Sequence, residues 1–180
     1  MKWEQIIGQQ SIKNLLQDSI KDSRVGHAQL FVGEEGFGVL PLALAMAQEI
    51  FEKENPASVH KVENLNHLDL DFSFPVFTEN KNSLSKRLFD QWREFILENP
   101  YSSFDDWTSF LESENKQFFI SADEAEDIGQ RFNLKSFEGG SKILIVWRAD
   151  KMNDAAANKI LKFLEEPPKN TFIILCAPST

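Results

Sequence analysis

The sequence predicts an α/β fold, with helices on both faces of a mainly parallel sheet in three layers. Two observations carry this. Short apolar runs alternate with amphipathic helical runs along most of the chain, the pattern of strands joined by helical crossovers. The first apolar run, His27–Val32, also passes straight into a glycine-rich turn with Gly33, Gly36 and Gly38. A helical stretch follows, in the order of strand, phosphate-binding loop and helix.

Taken in order, residues 10–20 place Ile12, Leu15, Leu16 and Ile20 on one helical face. Residues 40–51 read as a second helix. Pro41 suits its first turn, where no backbone donor is needed, and Ala43, Ala45 and Ala47 allow close packing on a sheet. Residues 52–82 carry two prolines and several asparagines without a helical period. Within them "HLDLDFSF" (67–74) alternates as a strand, with Leu68, Leu70, Phe72 and Phe74 on one face. Residues 83–113 predict two helices, one with the stripe Leu84, Leu88, Trp92, Phe95 and Ile96, the other with Trp107, Phe110 and Leu111.

Residues 117–120 read as a short strand. Ser121 and Glu124 match a capping box, followed by the helix face Ala125, Ile128 and Phe132. The run 142–147 is a buried-type strand after Gly139-Gly140. Residues 153–165 form a helix with Ala156, Ile160 and Leu164 inward, closed by Pro167-Pro168, and 171–177 is the last strand. Residues 77–117 break the alternation and read as an inserted helical segment. The chain shows no internal repeat and no low-complexity tract.

Composition narrows the function classes. A net charge of −9 over 180 residues argues against broad electrostatic binding to nucleic acid or anionic membrane. The apolar runs fall short of a membrane span, and Met-Lys-Trp-Glu-Gln lacks a signal core, so a cytoplasmic protein is expected. The single cysteine, Cys176, excludes an internal disulfide and a cysteine-cluster zinc site. In an apolar strand it reads as a core residue.

The glycine turn fails its own chemistry. Gly33-Glu34-Glu35-Gly36-Phe37-Gly38-Val39-Leu40 has the glycine spacing of G-x-x-x-x-G-K-[ST]. Val39 stands where lysine would neutralise the β- and γ-phosphates, and Leu40 where a hydroxyl would hold Mg²⁺. Glu34 and Glu35 add negative charge. The backbone amides and helix N-terminus could still attract an anion; a tight turn needing small residues is the plainer reading. A hydrolase of this type also ends a later strand in Asp-Glu, whereas "KILIVW" ends in Trp147-Arg148. The two residues either plug the vacant site or cover a strand end.

Two blocks carry a family resemblance. "WEQIIGQQSIKNLLQDSIKDSRVGHAQLFVGEEGFGVLPLALAMAQ" (3–48) and "GGSKILIVWRADKMNDAAANKILKFLEEPPKNTFIIL" (139–175) resemble the delta-prime subunits of bacterial clamp loaders. These are AAA+ proteins of the DNA polymerase III holoenzyme. The second block is the more specific, through Ala-Ala-Asn followed by Leu-Lys-x-Leu-Glu-Glu-Pro-Pro. The resemblance implies a degenerate AAA+ domain without ATPase activity. It implies a stator role beside gamma/tau ATPase subunits and delta, in a ring that loads the sliding clamp onto primed DNA. The catalytic gamma/tau sibling has the Gly-Lys-Thr and Asp-Glu motifs that this chain lacks.

The family pattern also includes four zinc-binding cysteines before a "HPDxxxxxP" stretch. "NHLDLDFSFPV" (66–76) retains the latter, but residues 52–66 contain no cysteine. Residues 52–76 are therefore expected to be a metal-free remnant, and no cofactor or metal is expected. The family continues into a Ser-Arg-Cys motif, a lid and a collar, none of which occurs before Thr180. The chain is read as the N-terminal part of a longer protein, monomeric by itself. Its trans-acting arginine is not assignable here.

Other residues have plainer roles. Lys159, Lys162, Glu165 and Glu166 form either a partner interface or a solvated helix face. Adjacent Glu165-Glu166 more often cap a helix or pair with lysine than act as an acid/base dyad. His27, His60 and His67 have no second ligand at metal spacing. The competing functional readings are an active P-loop enzyme with a divergent loop and an AAA+ module of a non-replicative complex. Val39, Leu40, Trp147 and Arg148 weigh against the first.

Overall fold

The structure is a computed structural model that describes residues 1–179. Its elements in chain order are α1 (Gln10–Lys21), β1 (Ala28–Val32), α2 (Val39–Glu54), α3 (Val59–Glu63), β2 (Leu70–Ser73), α4 (Phe89–Glu98), α5 (Phe104–Phe110), α6 (Ala122–Phe132), β3 (Lys142–Trp147), α7 (Asp154–Glu165) and β4 (Thr171–Ala177). The strands form one sheet in the order β1-β4-β3-β2, and every pair is parallel. The expected α/β fold with a parallel sheet is what forms.

The sheet is buried on both sides because successive side chains of β3 and β4 serve opposite layers. Ile143, Ile145 and Trp147 join Ile174 and Cys176 in a core with α1, α2, α4 and α5. Leu144, Val146 and Ile173 join Ile128 and Phe132 of α6 and Ala156 and Ile160 of α7 on the other face. Helix α2 is buried from Leu40 through Gln48 and again at Ile50 and Phe51, so its alanines do pack close to the sheet.

Residues 77–117 contribute to the first core. The Trp92 ring stacks on Phe74 with centroids 4.7 Å apart and lies 6.3 Å from Trp147. Trp107 is also fully buried, and its indole N–H donates to the Pro75 carbonyl at 3.1 Å. An aromatic cluster of this kind joins α4 and α5 to β2 and β3 through area burial and ring geometry.

Five local expectations need correction. Ile12 and Leu15 are exposed; α1 instead buries Lys13, Leu16 and Ile20. Lys13 is accommodated because its ammonium donates to the Ile6 carbonyl at 3.2 Å, as a buried charge requires. Residues 59–63 form the short helix α3 in a stretch read as irregular. Leu68 precedes β2 and is exposed, while Leu70, Phe72 and Phe74 are buried as expected. Residues 117–120 make isolated bridges, Phe119 to Val76 and Ile120 to Met152, and no ladder. The capping box is half-formed: Ser121 accepts from the Glu124 N–H at 3.1 Å, but the Glu124 carboxylate accepts from Ser85 N–H and Oγ–H at 2.8 and 2.6 Å.

Candidate functional site

The glycine turn joins the end of β1 to α2. Gly36 and Gly38 have φ of 80° and 92°, backbone that disfavours a side chain. At Gly38 a Cβ would lie 3.4 Å from Cε1 of Tyr101, an ordinary contact, whereas at Gly33 it would come within 2.9 Å of Cγ2 of Val39. The turn is closed by Gly33 N–H to the Ala177 carbonyl at 3.1 Å and Phe37 N–H to the Glu34 carbonyl at 3.2 Å. Leu40 is buried in the core and Val39 is half-buried. Neither side chain brings charge or hydroxyl to the turn.

The cleft beside the turn is walled by Gly33–Gly36, Gly38–Pro41, Trp147-Arg148 and Pro100–Ser102. Its volume is about 30 Å³, room for one or two waters. Ligand pockets for small molecules run to roughly 300–1,000 Å³. Trp147 is 5% exposed and belongs to the core. Its neighbour Arg148 adopts a left-handed backbone, φ 57°, and holds Asp150 through Nε and Nη2 at 2.8 and 2.7 Å. Nη1 of Arg148 pairs with Glu35. Burial disfavours the guanidinium charge, but Asp150 and Glu35 outweigh it and hold its pKa above the ordinary value. This arginine is engaged by carboxylates on both sides.

The structure therefore brings Gly33, Gly36, Gly38, Val39, Leu40, Trp147 and Arg148 to one cleft. It adds two participants that the sequence did not signal, Tyr101 and Phe104, and it pairs Glu35, expected only as added negative charge, with Arg148. The contacts of Phe104 to Glu35 and of Tyr101 to Ile7 join residues 69 to 94 positions apart, and no local pattern signals such pairs. Cys176 lines the same cleft, yet burial pushes its thiol up to about 12, which leaves no thiolate for attack.

The other candidates lie elsewhere. Lys159 is exposed and turns to Glu126 of α6 at 2.7 Å. Lys162, Glu165 and Glu166 are exposed. The His67 Nδ1 accepts from the Asp69 N–H at 3.1 Å, and its ring stacks on Phe51 with centroids 4.0 Å apart. His27 contacts the Leu164 carbonyl at 3.2 Å and His60 the Ala57 carbonyl at 3.1 Å. Among the described residues no group of three or more His, Cys, Asp or Glu side chains is arranged to hold a metal. No helix among them is long and apolar enough to cross a membrane.

The profile of a family described as DNA polymerase III, delta subunit, matches residues 8–180. The chain belongs to this family. A curated member, DNA polymerase III subunit delta' of Bacillus subtilis (strain 168), is 28% identical over 174 residues, 93% of this chain. The Escherichia coli (strain K12) protein of the same name is 38% identical over 56 residues, 31% of this chain and 17% of that one. The chain spans 41% of the length of the Bacillus subtilis relative. A crystal structure of a DNA polymerase III gamma subunit-related protein from Thermotoga maritima aligns with 93% of this chain and 38% of that one. Its TM-score is 0.42 and its identity 16%, too slight a likeness to bear on function.

Proposed function

We propose that this chain is the AAA+-type domain of a clamp loader delta-prime subunit, a non-catalytic part of the DNA polymerase III holoenzyme. It would act by presenting a fixed surface to gamma/tau ATPase subunits and, with delta, take part in placing the sliding clamp on primed DNA. One observation carries the non-catalytic half of this reading. The glycine turn keeps its backbone but has Val39 and Leu40 at the two chemical positions, beside a cleft of about 30 Å³. Membership of the delta-subunit family supports the clamp loader half. The strand end that would carry a metal carboxylate in a hydrolase carries a core tryptophan and a carboxylate-bound arginine. Lys159, Lys162 and Glu165 of α7, with Glu166 just beyond it, are the proposed contacts to a neighbouring subunit.

Titration calorimetry with Mg-ATP tests the non-catalytic reading. A lysine–phosphate contact and a metal contact are each worth roughly 1.5–3 kcal/mol. Their loss moves a micromolar site to about millimolar or weaker. No heat of binding is expected at micromolar nucleotide. Low-micromolar binding, or hydrolysis above background, would overturn the reading.

A further inference from the structure

Residues 77–117 have a feature that the family reading does not supply. Between α4 and α5, Pro100, Tyr101 and Ser102 form part of the wall of the glycine-turn cleft. Tyr101 reaches furthest. Its ring lies 3.4 Å from the place a Gly38 side chain would start, and its hydroxyl accepts the Ile7 N–H at 2.9 Å. Phe104, at the start of α5, donates its N–H to the Glu35 carboxylate at 2.9 Å. The Arg148 guanidinium and the Lys151 ammonium each lie 4.8 Å from the Phe104 ring centroid, within cation–π range. Arg148 closes the circuit by pairing with Glu35.

Three separate parts of the chain thus meet on this short segment: the stretch before α1, the glycine turn, and the residues after β3. A phosphate-binding loop is ordinarily a set of backbone N–H groups organised around an anion. Here protein groups make the organising contacts. We propose that residues 100–104 are an intramolecular plug, latched by Glu35 and Arg148, that holds the glycine turn in one conformation without any ligand. The surface around the start of α2 then keeps its shape whatever the nucleotide state of the surroundings. The plug does not depend on the clamp loader reading, since its contacts lie within this chain.

NMR-detected hydrogen exchange on the 180-residue protein tests this. The readouts are the hydrogen-bonded amides of Phe37 and Gly33 in the turn, with β3 amides as the reference for global opening. Tyr101→Ala and Glu35→Gln are each expected to speed exchange at Phe37 and Gly33 by about tenfold or more, while β3 is unchanged. Tyr101→Phe keeps the ring and removes the hydroxyl, so it should release the Ile7 amide and leave Phe37 protected. Phe37 and Gly33 exchanging in Glu35→Gln as they do in wild type would overturn the proposal. If Tyr101→Ala opens the whole protein, seen as faster exchange in β3, Glu35→Gln and Tyr101→Phe decide it.

Discussion

Restoring the missing chemistry is an instructive perturbation, because the structure says it should fail. The double variant Val39→Lys with Leu40→Thr returns the lysine and the hydroxyl to the glycine turn. If those two groups were the only defect, they would supply roughly 3–6 kcal/mol between them. That is a gain of about 10²–10⁴ in affinity, enough to bring a millimolar site to micromolar. The cleft, however, is about 30 Å³, and Tyr101 stands against Gly38. Trp147, packed 5% exposed at the end of β3, offers no ligand for a metal. We expect the dissociation constant for Mg-ATP to stay above about 1 mM in calorimetry. Leu40 is in the core, so its replacement should cost about 2–3 kcal/mol. A thermal melt must therefore show the variant folded before the titration counts. Binding at tens of micromolar would refute the view that space and metal ligation are lost along with the two side chains.

Other expectations are simpler to check. Trp92→Ala should lower stability by about 3–5 kcal/mol, read by urea denaturation, because the ring is fully buried against Phe74 and Trp147. Trp92→Phe should cost less than Trp92→Ala because it leaves a smaller cavity and the indole N–H has no partner to lose. The buried Glu124 carboxyl has its pKa raised above 4.5, chiefly by burial. Its ionised form is thus disfavoured in the fold, and stability is lost as pH rises from 4.5 through the raised value. Relative to Glu124→Gln, wild type should lose stability across that window, and a difference curve that is flat or slopes the other way would refute this. Elemental analysis of protein purified without a metal-affinity tag should find zinc well below one per chain; one zinc surviving dialysis would show that residues 52–66 have been misread.

Strands β3 and β4 were legible to the residue, because continuous apolar runs bounded by turn residues admit few alternatives. Helix α7 was equally plain, with Asn153 accepting the Ala156 N–H at 2.8 Å as its cap. Misreadings arose where a long-range contact overrode a local pattern. Lys13 took a buried position on α1 because the Ile6 carbonyl was there to receive its charge. Glu124 left its own helix start for Ser85, 39 residues away. Helix α3 has only five residues, too few to show a period. The cleft followed the same rule. Its glycines and its missing lysine are a local motif, while Pro100, Tyr101 and Ser102, which line it from the α4–α5 connection, follow a path that no spacing rule describes.

The clamp loader reading is tested most directly by asking what the protein binds in its own cell. An affinity tag fused to the protein at its native locus, followed by mild purification and mass spectrometry, reads the partners without assuming them. The account predicts recovery of the gamma/tau ATPase subunit and delta in stable proportion, with the complex surviving size-exclusion chromatography at micromolar concentration. Recovery of the protein alone, or with partners that include neither of these, would contradict it.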